Sequence, residues 1–174
     1  MLPLVRHLDL AMPHHSAWRP ALAPFLVVTL SLPVRAQSAT QTITIAVNAI
    51  NQIAFVGSPA LSITTATPGS PPTSATDASA NWAVTTNQTG AKITASIPAA
   101  MPAGLTLSAM LSPPAGATSS GFQPLGTIAV DQVTGIAKLA QSAMGVSYRL
   151  DATTAAGVIN SATRVVTYTI TGGV

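Results

Sequence analysis

Between residues 37 and 174 the chain offers acid–base chemistry only three carboxylates, Asp77, Asp131 and Asp151. General acid–base catalysis needs two titratable groups held close together in environments that separate their pKa values. These three are isolated from one another in sequence. Asp77 stands in a Ser/Thr-rich stretch, and Asp131 is read as a turn residue. Asp151 lies two residues from Arg149, which on a strand puts both on one face as a surface ion pair. The same region contains no His, Glu or Cys, so neither a Ser-His-Asp triad nor a thiolate nucleophile can form from it. Lys92 and Lys138 sit in no recognisable Ser-Lys arrangement. The run Asp131-Gln132-Val133-Thr134-Gly135 lacks the further acids of a calcium loop. No catalytic, cofactor-binding or metal-ligating residue is expected, and the chain reads as a non-enzyme.

Binding chemistry is equally sparse. A sugar platform wants exposed aromatics, and residues 37–174 contain Phe55, Trp82, Phe122, Tyr148 and Tyr168. Alternation sets Trp82, Tyr148 and Tyr168 beside aliphatic neighbours, which predicts core packing and leaves Phe122 as the exposed one. Asn87-Gln88-Thr89 matches a glycosylation sequon, but before Gly90 a turn role for Asn87 is the stronger reading. The net charge of +3 does not mark a nucleic-acid surface. After residue 36 the charges are Lys92, Lys138, Arg149 and Arg164 against the three aspartates, with no basic cluster.

The other basic residues and all three histidines lie in residues 1–36. There Arg19 precedes an uncharged stretch, Pro20 to Val34, which ends in Val34-Arg35-Ala36. A positive region, a short apolar run and small residues before the cut predict a signal peptide over 1–36, cleaved after Ala36. Met12 is an alternative start that leaves a leader of ordinary length. About 20 apolar residues are needed to span a bilayer, and Pro24 and Pro33 interrupt this run, so no stable membrane insertion is expected after cleavage.

Residues 37–174 read as a single domain of period-two segments. The alternation of the first expected strand, Thr42–Val47, slips at Ile50-Asn51-Gln52 and returns with Ile53 and Phe55, as at a bulge or a change of sheet. Strands are also expected at Ala60–Thr65 and at Trp82–Thr86. Others follow at Ile93–Ile97, Leu105–Leu111, Ile128–Val130, Lys138–Leu139, Val146–Asp151 and Val165–Thr171. Loops are expected at Pro68–Asp77, Asn87–Gly90, Ala115–Pro124 and Asp131–Gly135. The fold class is all-β, an antiparallel immunoglobulin-like sandwich of about eight or nine strands, with a barrel as the other arrangement. Trp82, Ile93, Leu107, Tyr148 and Tyr168 are expected in the core, with Thr106 outside.

The Ala/Thr/Ser-rich, charge-poor strands and the alternating segment just after the leader resemble secreted bacterial surface β-sandwiches. In style they are similar to fimbrial subunits of the chaperone–usher type. The resemblance implies that Thr42–Val47 serves as a donor strand and that Tyr168, before Gly172-Gly173, marks the last strand. The expected function is therefore a secreted structural or adhesive surface protein, periplasmic, cell-surface or extracellular. It would act by protein–protein contact, including self-association through its terminal strands. A secreted carbohydrate- or small-ligand-binding β-sandwich module is the alternative.

Overall fold

The structure, a computed structural model, describes residues 35–174. The expected signal peptide over 1–36, with Met12, lies outside the described residues except for its last two positions. The chain divides into two units, Met1–Thr44 and Ile45–Val174. In the first, residues 35–44 are exposed and belong to no helix or strand.

The second unit is all-β. Its strands are β1 (Asn51–Val56), β2 (Ala75–Ser96), β3 (Leu105–Leu111), β4 (Thr118–Ser119), β5 (Gln123–Pro124), β6 (Val130–Ala152) and β7 (Thr167–Thr171). They form one antiparallel sheet, ordered β1-β2-β6-β3-β5, with β4 on β6 and β7 on β2. A single 3-10 turn, Thr154–Ala156, leads toward β7.

Two strands of 22 and 23 residues, β2 and β6, pair along most of their length and carry all the others except β5, which pairs with β3. Because β6 occupies one edge of β2, β1 and β7 must share the other. β1 takes Asn81–Thr86 and β7 takes Lys92–Ser96. On the far edge of β6, β4 meets Val133–Thr134 and β3 meets Val146–Ala152. Phe55 is registered with Trp82 and Tyr168 with Ala95. Thirteen residues of straight strand would separate those positions by roughly 43 Å, yet the Phe55 and Tyr168 rings stack 4.0 Å apart. The sheet is therefore folded over on itself, with its inner face as the core.

Bulges make the fold. The β2–β6 register shifts between Asp77 and Ala80, Trp82 and Val84, and Thr86 and Thr89, and again toward Thr94. Gly90 and Gly135 have φ of 79° and 75°, and Lys138 and Ala143, both non-glycine, also have positive φ. Each extra residue adds twist and bend without reversing the chain. This corrects two expected turns, Asn87–Gly90 and Asp131–Gly135, which are bulged stretches inside β2 and β6. A glycine with positive φ serves either geometry, and alternation resumes after both, so local sequence does not distinguish them. Hence fewer strands form than expected: Trp82–Thr86 and the expected Ile93–Ile97, as far as Ser96, belong to one run, as do Lys138–Leu139 and Val146–Asp151. Asp77 lies within β2 rather than in a loop, and the expected loop Ala115–Pro124 holds the short β4 and β5.

Other boundaries differ too. Thr42–Val47 is exposed and unpaired, and Ala60–Thr65 forms no strand, although Ala66 and Pro72 make an isolated bridge. Ile128 is exposed ahead of β6, and Val165 is exposed ahead of β7.

The core follows the alternation. Trp82, Ile93, Leu107 and Tyr148 are buried together with Leu111, Ile136 and Val146, while Thr106 faces solvent. Tyr168 is only partly buried, against Phe55. At Gln132 the β2–β6 register shifts: Thr94 is paired with Asp131 and Ile93 with Val133, which leaves Gln132 as the extra residue beside Val133. Both side chains then point inward, and Gln132 is fully buried with no hydrogen-bond partner for either amide atom.

Candidate functional site

The structure commits each aspartate separately. Asp77 accepts hydrogen bonds from the Ser79 hydroxyl and amide, at 2.6 and 2.8 Å, and from the Ala60 amide at 3.0 Å. Those donors, the Ser79 hydroxyl first, hold its carboxyl below the usual range. Asp131 pairs with Lys92 at 2.9 Å, and both side chains are well exposed. Asp151 takes Arg149 Nε at 3.0 Å and the Ser74 hydroxyl at 2.5 Å. The Arg149–Asp151 pair is the one expected from its spacing on a strand. Among the described residues, no three His, Cys, Asp or Glu side chains gather into a cluster.

The aromatic residues face inward or are covered. Trp82 is buried and donates Nε1–H to the Ser112 carbonyl at 3.1 Å. The Tyr168 hydroxyl donates to the Tyr148 hydroxyl at 2.9 Å, and burial pushes both phenols above their ordinary pKa. Phe122, expected to be exposed, is partly buried with the Arg149 guanidinium 4.9 Å from its ring centroid. That cation–π contact covers one face of the ring.

What is exposed and apolar lies before β1. Ile43, Ile45 and Val47 are 75%, 86% and 82% exposed, at alternate positions with Thr42, Thr44 and Ala46 between them. These three aliphatic side chains are unpaired and stand in strand periodicity. The outer edge of β7 carries no charge or proline in Thr167–Thr171, and β7 pairs on one side only, with β2. Charge and proline are the usual protection of a sheet edge.

The junction of this segment with β1 is polar and specific. The Ile50 amide donates to Asn87 Oδ1 at 2.8 Å, Asn87 Nδ2 donates to the Asn48 carbonyl at 2.7 Å, and the Asn87 amide donates to the Ile50 carbonyl at 3.2 Å. Beside it the Thr86 hydroxyl donates to Asn51 Oδ1 at 2.7 Å, and Asn51 Nδ2 to Gln88 Oε1 at 3.0 Å. One rung further, Thr89 and Val174 exchange both backbone hydrogen bonds, at 3.0 and 3.1 Å. A shallow trough of about 370 Å³, lined by Ile50, Thr85, Asn87 and Leu139 among others, runs beside this junction. Sequence reading placed Asn87 in a turn and missed its partners. The signal was present in the slip of alternation at Ile50-Asn51-Gln52, but it named no partner across the sheet.

No family model, curated protein or solved structure matches the chain.

Proposed function

We propose that this chain is a secreted, non-enzymatic structural or adhesive surface protein whose alternating segment Thr42–Val47 adds as a strand to the sheet of a partner. On this reading residues 1–36 are a signal peptide removed after Ala36, and the folded-over sheet is a sandwich of immunoglobulin-like type. The style is that of fimbrial subunits, and the site of action is the periplasm, cell surface or extracellular space. The observation that carries the reading is the exposure of Ile43, Ile45 and Val47. Strand addition draws affinity from backbone hydrogen bonds and specificity from alternate side chains, so it needs no charged chemistry. The carbohydrate-binding alternative has less support, since Trp82 and Tyr148 are buried and Arg149 covers one face of Phe122.

The test compares protein beginning at Gln37 with the same protein lacking Gln37–Val47, by sedimentation over a range of concentrations. The longer form is expected to self-associate. The shorter form should stay folded and monomeric, and should bind a synthetic peptide of the missing segment. A longer form that stays monomeric at high concentration, with unfolding on deletion, would make the segment a strand of its own sheet and overturn the proposal.

A further inference from the structure

The residues Thr42–Val47, Thr-Ile-Thr-Ile-Ala-Val, match Thr169–Val174, Thr-Ile-Thr-Gly-Gly-Val, at four of six positions in the same order. The second segment has a place in the sheet. Thr169, Ile170 and Thr171 are registered with Thr94, Ile93 and Lys92 of β2, and Val174 exchanges both backbone hydrogen bonds with Thr89. Ile170 packs against the core from that edge. The first segment carries Ile43 in the position of Ile170 and Val47 in that of Val174, and both are exposed.

Topology brings both segments to the same edge in the same direction. β1 and β7 both run antiparallel to β2. The chain ahead of β1 is held at Asn87 through Asn48 and Ile50, two residues from the Thr89–Val174 rung. Continued along β2, β1 would enter the stretch that Val174 to Thr169 now fills. From the Asn51–Thr86 pair the upstream chain has eight residues to Ile43, while β2 has seven to Ile93. Bulges between Thr86 and Ile93 shift the inner face of β2 from even to odd positions, both of these residues being buried. One extra upstream residue matches that shift and sets Ile43 opposite Ile93 with its side chain inward. β7 can leave without pulling on β6, because residues 157–165 are exposed and belong to no strand.

Two features hold β7 in place. Tyr168 stacks on Phe55 and bonds Tyr148, and its upstream counterpart is Gln41. A Cβ at Gly172 or Gly173 would press on Gln88 or Thr89, so Ile45 and Ala46 must stand farther from β2 than the tail does. We infer that Thr89–Thr94 of β2 is a strand-binding site with two occupants from its own chain, Thr169–Val174 in this structure and Thr42–Val47 when β7 departs. Exchange turns Ile43, Ile45 and Val47 toward the inner face and frees β7 on its linker. Closing so short a connection costs little entropy, so the chain's own segment reaches the vacated edge ahead of one from another molecule. The share of each occupant follows the difference in their contacts, of which Tyr168 supplies the largest part. The inference does not rest on the strand-donor reading, since it concerns one molecule.

The test uses the protein beginning at Gln37, which has no cysteine of its own. Rungs alternate outward from Thr89–Val174, which makes Thr94–Thr169 a close, non-hydrogen-bonded pair suited to a disulfide. In the exchanged state Thr42 takes the place of Thr169. T42C/T94C is therefore expected to close a disulfide within the monomer at least about tenfold faster than S38C/T94C, which is four residues out of register on the same tether. Adding Tyr168→Ala should raise the T42C/T94C rate by about a further tenfold, for a lost ring stack and hydrogen bond, and leave S38C/T94C unchanged. Hydrogen exchange on Tyr168→Ala alone should show the Val47 amide slowed and Thr89 still protected. If Tyr168→Ala fails to fold, the two cysteine pairs alone decide the question. Equal rates for the two pairs, or a Thr89 amide that opens while Val47 stays unprotected, would overturn the exchange. Disulfides formed only between molecules would overturn it too, while supporting the strand-donor reading. Closure within a protein that sediments as a monomer at every concentration would support the exchange and remove the strand-donor reading.

Discussion

The Tyr168 hydroxyl donates to the Tyr148 hydroxyl at 2.9 Å, joining two strands that are not neighbours in the sheet. Tyr148 is registered with Asp77 near the start of β2, and Tyr168 with Ala95 near its end. This bond bridges the fold-over of the sheet, as the Phe55–Tyr168 stack does beside it. Both phenols are held neutral by burial, Tyr168 more strongly than Tyr148. A raised pKa in the folded state means that the associated stability is fully present below the unfolded value of 10.0 and is lost as pH rises above it. The protein should therefore unfold in alkali, with phenolate absorbance appearing together with loss of structure and not before it. Tyr168→Phe should cost about 1 kcal/mol at neutral pH and weaken this alkaline transition. Phenolate formation in the intact fold near pH 10 would count against the bridge.

Leu107 and Thr106 are adjacent on β3 and face opposite ways. Leu107→Ala should cost about 2–5 kcal/mol in a urea melt, and Thr106→Ala within about 0.5 kcal/mol. Equal costs would contradict the register of β3 against β6.

Gln132 is the polar residue that the core would do better without. A buried amide with no partner carries a desolvation penalty of about 1–3 kcal/mol. Gln132→Met keeps the length of the side chain and removes the amide, and the denaturation midpoint is expected to rise. A fall by a similar amount would mean that the amide is satisfied in solution.

Asp77 anchors the chain ahead of β2 through Ser79 and Ala60. Its lowered pKa makes its contribution present above the unfolded value of 3.8 and lost as pH falls through the folded one. Asp77→Asn should lower stability modestly at neutral pH, flatten the acid side of the stability profile, and have little effect at pH values where the native carboxyl is already protonated. A carboxyl titration by NMR that is not displaced to lower pH would refute the Ser79 contacts.

Much of the inner face was legible in the residues. Trp82, Ile93, Leu107 and Tyr148 alternate with small or polar neighbours, and burial follows that alternation. The Arg149–Asp151 pair was legible for the same reason, because positions two apart on a strand share a face. The junction at Asn87 was not. Its partners, Asn48 and Ile50, lie 39 and 37 residues away in sequence, and nothing local at Asn87-Gln88-Thr89-Gly90 separates a bulge from a hairpin turn.

The sequence by itself determined a β-rich chain with a period-two core and little titratable chemistry after residue 36. These properties follow from residue type and near-neighbour spacing. Only the tertiary structure decided which alternating segments have partners. Thr42–Val47 and Thr167–Thr171 show the same apolar alternation, yet one is exposed and unpaired while the other lies along β2. Periodicity reports which face of a segment is apolar. Whether a strand edge is free to receive it depends on what else lies on that edge, and here the register of β1 and the Val174–Thr89 rung had already filled it.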